Sequence, residues 1–290
     1  MKKCLHCSQI YNSNLQVCDQ CHETPQIIDG FTAYAPSLAG ESSGFKAGYF
    51  GDLAALEGEN FWFRSRNKII TWAVETYASD FSSMLEVGCG TGFVLSGLTR
   101  QFPDAKFMGS EIFTSGLSFA RQRLPSAELV QMDARQIPFS EEFDLIGAFD
   151  VLEHIKEDET VLGEVFGAIK SGGTLIASVP QHPWMWSAAD DYACHKRRYT
   201  ACELSGKLKR AGFDILLSTS FVTLLLPPMV LSRLINRKRT GSYDPCAEMQ
   251  INPSLNKFFE MCLSVELACI KRGLRFPVGG SRLVIARKPA

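Results

Sequence analysis

Two hydrophobic patterns alternate along most of the chain. From Met84 onward, short apolar runs typical of buried strands occur in MLEVG, KFMGSE, AELVQMD, FDLIGAFD and GTLIASVP. Apolar residues at helical spacing lie between most of these runs, over residues 93–101, 115–124 and 159–170. Strands that alternate with helices predict an α/β fold with a doubly wound, mostly parallel sheet.

The pattern continues on both sides of this central region. Helical spacing predicts a helix over residues 64–79 and another over residues 201–211. The runs FDILLSTSFV and SRLVIARK add two strands, which brings the predicted sheet to seven. Between these two strands, residues 224–277 form a predicted helical insertion.

Composition and charge narrow the class of protein. Hydrophobic residues make up 46% and charged residues 21% of the 290, an ordinary globular balance. The 30 basic residues are matched by 31 acidic ones, so no overall basic field attracts nucleic acid or anionic lipid. Basic residues do cluster at 196–198 and 237–239. The longest apolar stretch, FVTLLLPPMVL, is too short to span a bilayer and contains two prolines. We expect a cytoplasmic protein with at most peripheral membrane contact.

Four of the ten cysteines occur within the first 21 residues as two C-x-x-C pairs, Cys4 with Cys7 and Cys18 with Cys21. Two such turns can complete a tetrahedral shell of four thiolates, which suits a structural Zn²⁺. The alternative is a set of surface thiols with coincidental spacing. We therefore predict three parts: a zinc ribbon over residues 1–28, a linker and helical cover over 29–83, and the α/β core over 84–290.

The first core strand runs into a glycine-rich turn, LEVGCGTG, with glycines at Gly88, Gly90 and Gly92. Glycines there let a ligand approach the main chain closely. A P-loop requires Gly-Lys-Ser/Thr after the glycines, and a dinucleotide fold requires a sixth-position glycine where Phe93 stands. S-adenosylmethionine carries no phosphate and suits a G-x-G-x-G turn that follows an acidic strand end, here Glu86.

Acidic residues also stand at the ends of the next two strands. Glu111 ends the second strand, where a carboxylate can accept hydrogen bonds from both ribose hydroxyls of a nucleoside. Asp133 and Ala134 follow the third strand and are placed to meet an adenine edge. Phe149 ends the fourth strand and is predicted to contact the same ligand.

These motifs, followed by DVLEHI after the fourth strand, resemble those of class I S-adenosylmethionine-dependent methyltransferases. The resemblance extends over residues 64–212 and is nearest to the group that includes the ubiquinone and menaquinone methyltransferases. It implies a Rossmann-like methyltransferase fold and cofactor contacts at Gly88, Glu111, Asp133 and Phe149. It also places Arg66 about where some ubiquinone-type relatives have an arginine that helps to hold the cofactor. The alternative is that Arg66 is a charged residue on the surface of a helix.

Catalytic candidates follow the fourth strand. His154 can act as a general base near the reactive end of the cofactor, or can cap the turn. In ubiquinone O-methyltransferases a similar E-x-x-E-H run is associated with a divalent cation. The resemblance therefore indicates a candidate cation site at Asp150, Glu153 and His154. The alternative is a hydrogen-bonded loop without a metal.

A second group of candidates follows the fifth strand. His195 and Asp190 can act as a base and its orienting group. Trp184 and Trp186 could wall a flat or lipid-like substrate, and Arg197 with Arg198 could bind a carboxylate or phosphate. The alternative is a lid that these residues only stabilise.

The sequence thus predicts methyl transfer from S-adenosylmethionine to a small or lipid-like acceptor, on oxygen. One alternative is a ribosomal or transfer RNA methyltransferase guided by the zinc ribbon. The near-neutral charge argues against a nucleic-acid partner. The other alternative is a binding or scaffold protein that holds the cofactor without catalysis.

Overall fold

The computed structural model describes residues 1–40, 48–236 and 251–290, without the side chains of 234–236. The basic cluster at 237–239 lies outside the described residues. So do residues 41–47 of the predicted linker and the middle of the predicted helical insertion.

The N-terminal segment forms a small unit of its own. Strands β1 (Lys2–Lys3) and β2 (Ile10–Tyr11) pair antiparallel beside the four cysteines. The unit is attached to the core by main-chain contacts, because the amide of Lys3 donates to the carbonyl of Pro138 at 3.0 Å. The ammonium of Lys3 also pairs with Glu164 at 2.7 Å.

A single large sheet organises the rest of the chain. Its strands are β3 (Gln26–Ile28), β4 (Phe31–Ala33), β5 (Ser83–Val87), β6 (Lys106–Glu111), β7 (Glu128–Gln131), β8 (Phe143–Phe149), β9 (Ile169–Pro180), β10 (Asp214–Phe221) and β11 (Ser281–Arg287). Their spatial order is β10-β11-β9-β8-β5-β6-β7-β4-β3. The adjacent strands β9, β8, β5, β6, β7 and β4 run parallel to one another. The chain order reverses between β5 and β8. Ligands of doubly wound sheets bind at such a reversal.

Helices cover both faces of this sheet. They are α1 (Tyr49–Leu56), α2 (Phe61–Tyr77), α3 (Phe93–Gln101), α4 (Thr114–Arg123), α5 (Asp158–Ala168), α6 (Ala188–Tyr192), α7 (Ala201–Arg210), α8 (Leu226–Asn236) and α9 (Pro253–Lys271). Buried residues of α2, α3, α4 and α9 share one hydrophobic cluster, and those of α5 and α7 share the other. Side chains of a strand alternate between its faces, so β5 sends Met84 into the first cluster and Leu85 into the second.

The described sheet has nine strands, so the predicted count of seven was too low. The two additional strands form a hairpin whose turn is Asp29-Gly30, with φ of 51° and 79°. Both turn residues lie in the left-handed region that a tight two-residue hairpin requires. β4 then pairs parallel with β7, which ties residues 31–33 to the core. The predicted boundary after residue 28 falls inside this hairpin.

The insertion before β11 supports the end of β10. Val222 follows that strand with φ of 60°, a strained backbone for a β-branched residue. The buried carboxylate of Glu266, on α9, accepts the amides of Thr223 at 2.7 Å and Leu224 at 2.9 Å. α9 therefore holds this turn in place. No helix within the described ranges combines the length and apolar character needed to cross a bilayer.

Candidate active site

A cavity of about 690 Å³ opens at the carboxyl ends of the central parallel strands. This volume is typical of a site for a cofactor-sized molecule. The predicted site residues that line it are Arg66, Glu86, Gly88, Gly90, Glu111, Asp133, Ala134, Phe149, His154, Asp190 and His195. The strand ends therefore gather most of the predicted residues around one space.

The glycine turn has the backbone that the sequence predicts, with φ of 68° at Gly88 and 51° at Gly90. A Cβ on Gly88 would lie 2.5 Å from Val151 Cγ2. A Cβ on Gly90 would have its nearest neighbour, Phe50, 3.7 Å away, so it would project into the open cavity. The main chain at Gly90 is thus bare toward the cavity.

Gly92 differs from the other two glycines of the turn. Gly92 is not one of the described residues that line the cavity. A Cβ there would lie 2.8 Å from Leu124 and 3.1 Å from Ala120, which belong to α4 and its end. Gly92 therefore allows close packing against α4, behind the turn, and its predicted direct contact with the ligand is not supported by this geometry.

The acidic strand ends flank the turn. Burial raises the pKa of Glu86 to about 8, partly offset by the positive charge of Arg66. Its Oε2 atom is buried without a hydrogen-bond partner in the described structure. Burial also raises the pKa of Glu111, although this carboxylate accepts the amides of Ile112 at 2.8 Å and Gly90 at 3.1 Å. Glu111 is thereby fixed against the glycine turn.

Asp133 is held differently, by an ion pair. Its carboxylate accepts from Arg135 Nη2 at 2.8 Å and from Arg135 Nε at 3.0 Å. Both residues line the cavity. The ion pair fixes the carboxylate beside Ala134, where the sequence places the adenine end of a nucleoside.

Helix α1 covers the turn through a buried hydrogen-bond network. Glu57 accepts from Thr91 Oγ1 at 2.6 Å and from Arg123 Nη1 at 2.5 Å. Arg123 also donates to the carbonyl of Ala54 at 3.0 Å. Because Thr91 belongs to the glycine turn, this network fixes the cover directly onto it.

Arg66 lies in the cavity wall and not on the surface. Its guanidinium pairs with Asp150 and stacks on Trp62, 4.7 Å from the ring centroid. Asp150 also accepts from Ser178 at 3.2 Å. Asp150 is therefore turned toward helix α2, and the predicted cation set of Asp150, Glu153 and His154 does not assemble.

His195 instead joins Glu153 and His154. Each of these three residues offers a ligand atom, and the three atoms lie within 4.8 Å of one another. The rings of His154 and His195 pack edge to face, with centroids 4.7 Å apart. His195 Nδ1 lies 2.9 Å from Asp190 Oδ1, so the predicted pair of His195 and Asp190 is brought together.

Burial sets the charge states in this group. Burial, together with the charge of the nearby His195, lowers the pKa of His154 to about 3, so His154 is neutral at pH 7. Burial alone would raise the pKa of Asp190, but hydrogen bonds from His195 and Arg198 hold it below its usual range. Asp190 therefore stays ionised, whereas His154 is too weakly basic to take a proton readily near neutral pH.

Of the other residues predicted in the segment after β9, Arg198 lines the described cavity, whereas Trp184, Trp186 and Arg197 do not. Trp184 lies in the short helix at Pro183–Met185 and Trp186 directly follows it, and both side chains are exposed. Arg197 pairs with Asp158 at 2.7 Å, and Arg198 pairs with Asp190 at 2.7 Å. The two tryptophans therefore do not form the predicted substrate wall. The two arginines pair with carboxylates of the protein and do not form the predicted anion-binding pair.

The cavity also has walls that the sequence analysis missed. They come from α1, α2, α6 and α8, and include Tyr49, Phe50, Trp62, Tyr192, Met229 and Arg233. Tyr49 and Tyr192 pack edge to face with centroids 5.5 Å apart. The aromatic content of the stretches YF and FWF was a signal for Tyr49, Phe50 and Trp62.

The four N-terminal cysteines converge as predicted. Their Sγ atoms lie within 4.8 Å of one another. Cys4 and Cys21 are 3.5 Å apart, and Cys7 and Cys18 are 3.7 Å apart. A tetrahedral Zn²⁺ with Zn–S bonds of about 2.3 Å places its sulfurs about 3.8 Å apart, so the cluster has the size of such a shell.

Part of the chain is similar in sequence to known methyltransferases. Residues 85–177 match the family model described as a methyltransferase domain. The chain is 24% identical over 169 residues to a probable S-adenosylmethionine-dependent methyltransferase of Mycolicibacterium smegmatis, covering 56% of this chain and 63% of that protein. It is 30% identical over 103 residues to the trans-aconitate 2-methyltransferase of Azoarcus sp., covering 36% and 41%. The chain thus spans less than two-thirds of the length of either relative.

A solved structure shows a similar fold. Phosphoethanolamine N-methyltransferase 2 of Haemonchus contortus, in complex with S-adenosyl-L-methionine, has a TM-score of 0.56 to this chain. The identity is 17%, and the match covers 84% of this chain and 58% of that one. At this identity the likeness concerns the fold alone, and the predicted α/β class is confirmed. Residues 85–177 are thus similar to a methyltransferase domain, and one relative of the chain is named a probable S-adenosylmethionine-dependent methyltransferase.

The raised pKa of Glu86 predicts a pH-dependent stability. A carboxyl with a pKa of about 8 in the fold and about 4.5 when unfolded gives stability that is fully present below pH 4.5. That stability is lost as the pH rises through 8. Glu86→Gln should therefore raise the free energy of unfolding at pH 9 by at least about 1.4 kcal/mol, with little change at pH 4.

Urea titrations at both pH values measure this effect. Glu128→Gln is the matched control, because Glu128 is an exposed glutamate at the start of β7. Equal stability of Glu86→Gln and the wild type at pH 9 would contradict the assignment.

Proposed function

We propose that this protein transfers a methyl group from S-adenosylmethionine to an oxygen atom of a small or lipid-like acceptor. The observation that carries the proposal is the bare turn at Gly88 and Gly90, which faces the cavity between Glu86 and Glu111. The residues after the turn do not fit a phosphate-bearing nucleotide, because no Gly-Lys-Ser/Thr follows the glycines and Phe93 stands where a dinucleotide fold requires glycine. A nucleoside without phosphates therefore suits this turn better than ATP or NAD.

The residues fit the cofactor in three regions of the cavity. Glu111 is assigned to the ribose hydroxyls, because its carboxylate is fixed at the end of β6 beside the turn. We assign the adenine to Asp133, Ala134 and Phe149. The remaining part of the cofactor is assigned to Arg66, Glu86, Gly88 and Gly90, while Gly92 supports the turn from behind.

The bound cofactor supplies an activated methyl group, so the protein has mainly to align the acceptor and exclude water. Helix α1 contributes to both tasks, since Glu57 fixes it onto the glycine turn. Trp62 and Arg66 add a second wall from α2.

The acceptor is assigned to the side of the cavity that contains His154, His195 and Asp190. Tyr49, Tyr192 and Met229 give the cavity apolar surface that suits a small organic or lipid-like molecule. Relatives named as trans-aconitate 2-methyltransferases support a small-molecule acceptor. We assign His195, oriented by Asp190, to the acceptor's oxygen.

We further infer that Cys4, Cys7, Cys18 and Cys21 bind one structural Zn²⁺ and that residues 1–23 form a zinc ribbon. Four thiolates close the coordination shell, which leaves no position for a substrate. The contacts of Lys3 with Pro138 and Glu164 support a role in holding the ribbon against the core.

Transfer of a labelled methyl group tests the function directly. The purified chain, incubated with methyl-labelled S-adenosylmethionine, should label a component of a small-molecule or lipid extract. Glu111→Ala should label the same component more slowly. Label confined to an RNA fraction would contradict the proposed acceptor class, and cofactor binding without label in any fraction would favour a non-catalytic scaffold.

Glu111→Ala should weaken the binding of S-adenosylhomocysteine at least tenfold, about 1.4 kcal/mol, because the ribose would lose its carboxylate partner. Isothermal titration calorimetry measures the affinity, and thermal unfolding confirms that the variant is folded. Glu128→Ala, on the neighbouring strand and exposed, should bind like the wild type. Unchanged affinity in Glu111→Ala would remove Glu111 from the site.

The double variant Cys4→Ser/Cys21→Ser should contain one equivalent of zinc less than the wild type. It should also lose amide-exchange protection over residues 1–23, because the metal supplies most of the folding free energy of so short a unit. Elemental analysis and hydrogen exchange measure the two effects. Cys202→Ser, at an exposed cysteine, is the control. Equal zinc content in both variants would contradict the zinc ribbon.

A further inference from the structure

The group formed by Glu153, His154 and His195 contains an unusual buried carboxylate. Glu153 is fully buried, and neither of its carboxylate oxygens has a hydrogen-bond partner in the described structure. A buried polar group without a partner costs free energy, and a carboxylate costs more than a neutral group. Such a group either takes up a proton or binds a compensating cation.

The nearby arginines already have carboxylate partners. Arg66 pairs with Asp150, and Arg198 pairs with Asp190. The two histidines of the group each bring a ring nitrogen within 4.8 Å of the Glu153 carboxylate, and such nitrogens can act as metal ligands. A cation bound among the three side chains would satisfy the carboxylate.

His195 is oriented as a metal ligand would be. Its Nδ1 lies 2.9 Å from Asp190 Oδ1, which leaves Nε2 for another partner. Asp190 is fixed in turn by the amide of Ser187 at 2.8 Å and by Arg198 Nε at 2.7 Å. Metal-binding histidines are commonly held in this way by a carboxylate on the other ring nitrogen.

The donor set indicates the class of metal. Two imidazole nitrogens and one carboxylate oxygen suit Zn²⁺ or a similar transition-metal ion, whereas Mg²⁺ prefers oxygen ligands throughout. Asp150, which would have made the set richer in oxygen, is turned toward Arg66. Three protein ligands also leave a coordination position for another molecule.

We propose that Glu153, His154 and His195 bind one transition-metal ion of the Zn²⁺ class, with an open position toward the cavity. The part of this inference that concerns the acceptor rests on the proposed methyl transfer. The open position would bind an oxygen of the acceptor, so the substrate class is a hydroxyl- or carboxylate-bearing molecule. His195 then acts on the acceptor through the ion and not as a free base.

Co²⁺ binding to the full chain tests this site without an activity assay. The metal-free wild type should bind two equivalents of Co²⁺, one with intense thiolate charge-transfer bands and one without them. His195→Ala and Glu153→Gln should each retain the thiolate site. Both should bind the second equivalent at least about 100-fold more weakly, because each lacks one ligand of the ion.

His182→Ala is the matched control, because His182 lies in the same segment but outside the described cavity wall. It should bind both equivalents like the wild type. Circular dichroism reports folding, and His195→Asn provides a second variant if Glu153→Gln does not fold. Binding of S-adenosylhomocysteine, measured separately by calorimetry, reports on the proposed function and leaves the metal result independent.

Two results would overturn the proposal. In the first, the wild type binds Co²⁺ only at the thiolate site. In the second, it binds another equivalent whose affinity is unchanged in both His195→Ala and Glu153→Gln. Retention of that equivalent in His182→Ala and its loss in the other two variants would support the proposal.

Discussion

The glycine turn at Gly88 and Gly90, which lines the cavity at the end of β5, is the constraint on which the site depends. Parallel strands end at one edge of the sheet, and the chain order reverses between β5 and β8, which leaves a crevice there. The positive φ values of the two glycines hold the turn at its floor. Glu86 and Glu111, at the ends of adjacent strands, line the crevice on either side of this turn.

The remainder of the cavity is built onto that turn by parts of the chain distant in sequence. Glu57 joins α1 to Thr91, and Arg66 joins α2 to Asp150 beyond β8. Glu266 on α9 fixes the strained turn after β10, where Val222 lines the same cavity. The shape of the cavity therefore depends on these charged hydrogen bonds as much as on apolar packing.

The sequence predicted what depends on local pattern. The helix predicted over residues 93–101 matches α3, and the strand-end residues Glu86, Glu111 and Asp133 line one cavity. The hairpin at residues 26–33 was missed, although Asp29-Gly30 between short apolar runs is a hairpin signal. A short hairpin is stable only where a sheet edge accepts it, and the sequence does not reveal that β7 is such an edge.

The site of the two histidines could not be predicted for a related reason. Asp150, Glu153 and His154 are close in sequence, but a φ of 57° at Asp150 directs its side chain toward Arg66. His195 replaces it in the group because Asp190 and Arg198 fix the segment after β9. These orientations depend on tertiary partners, which spacing along the chain does not encode.

Calorimetric titration of the full chain with S-adenosylhomocysteine, ATP and NAD tests the central claim most directly. The account predicts saturable binding of S-adenosylhomocysteine with a Kd below about 100 μM, and at least tenfold weaker binding of both phosphate-bearing nucleotides. Tight binding of ATP or NAD, with no heat from S-adenosylhomocysteine or S-adenosylmethionine, would contradict it.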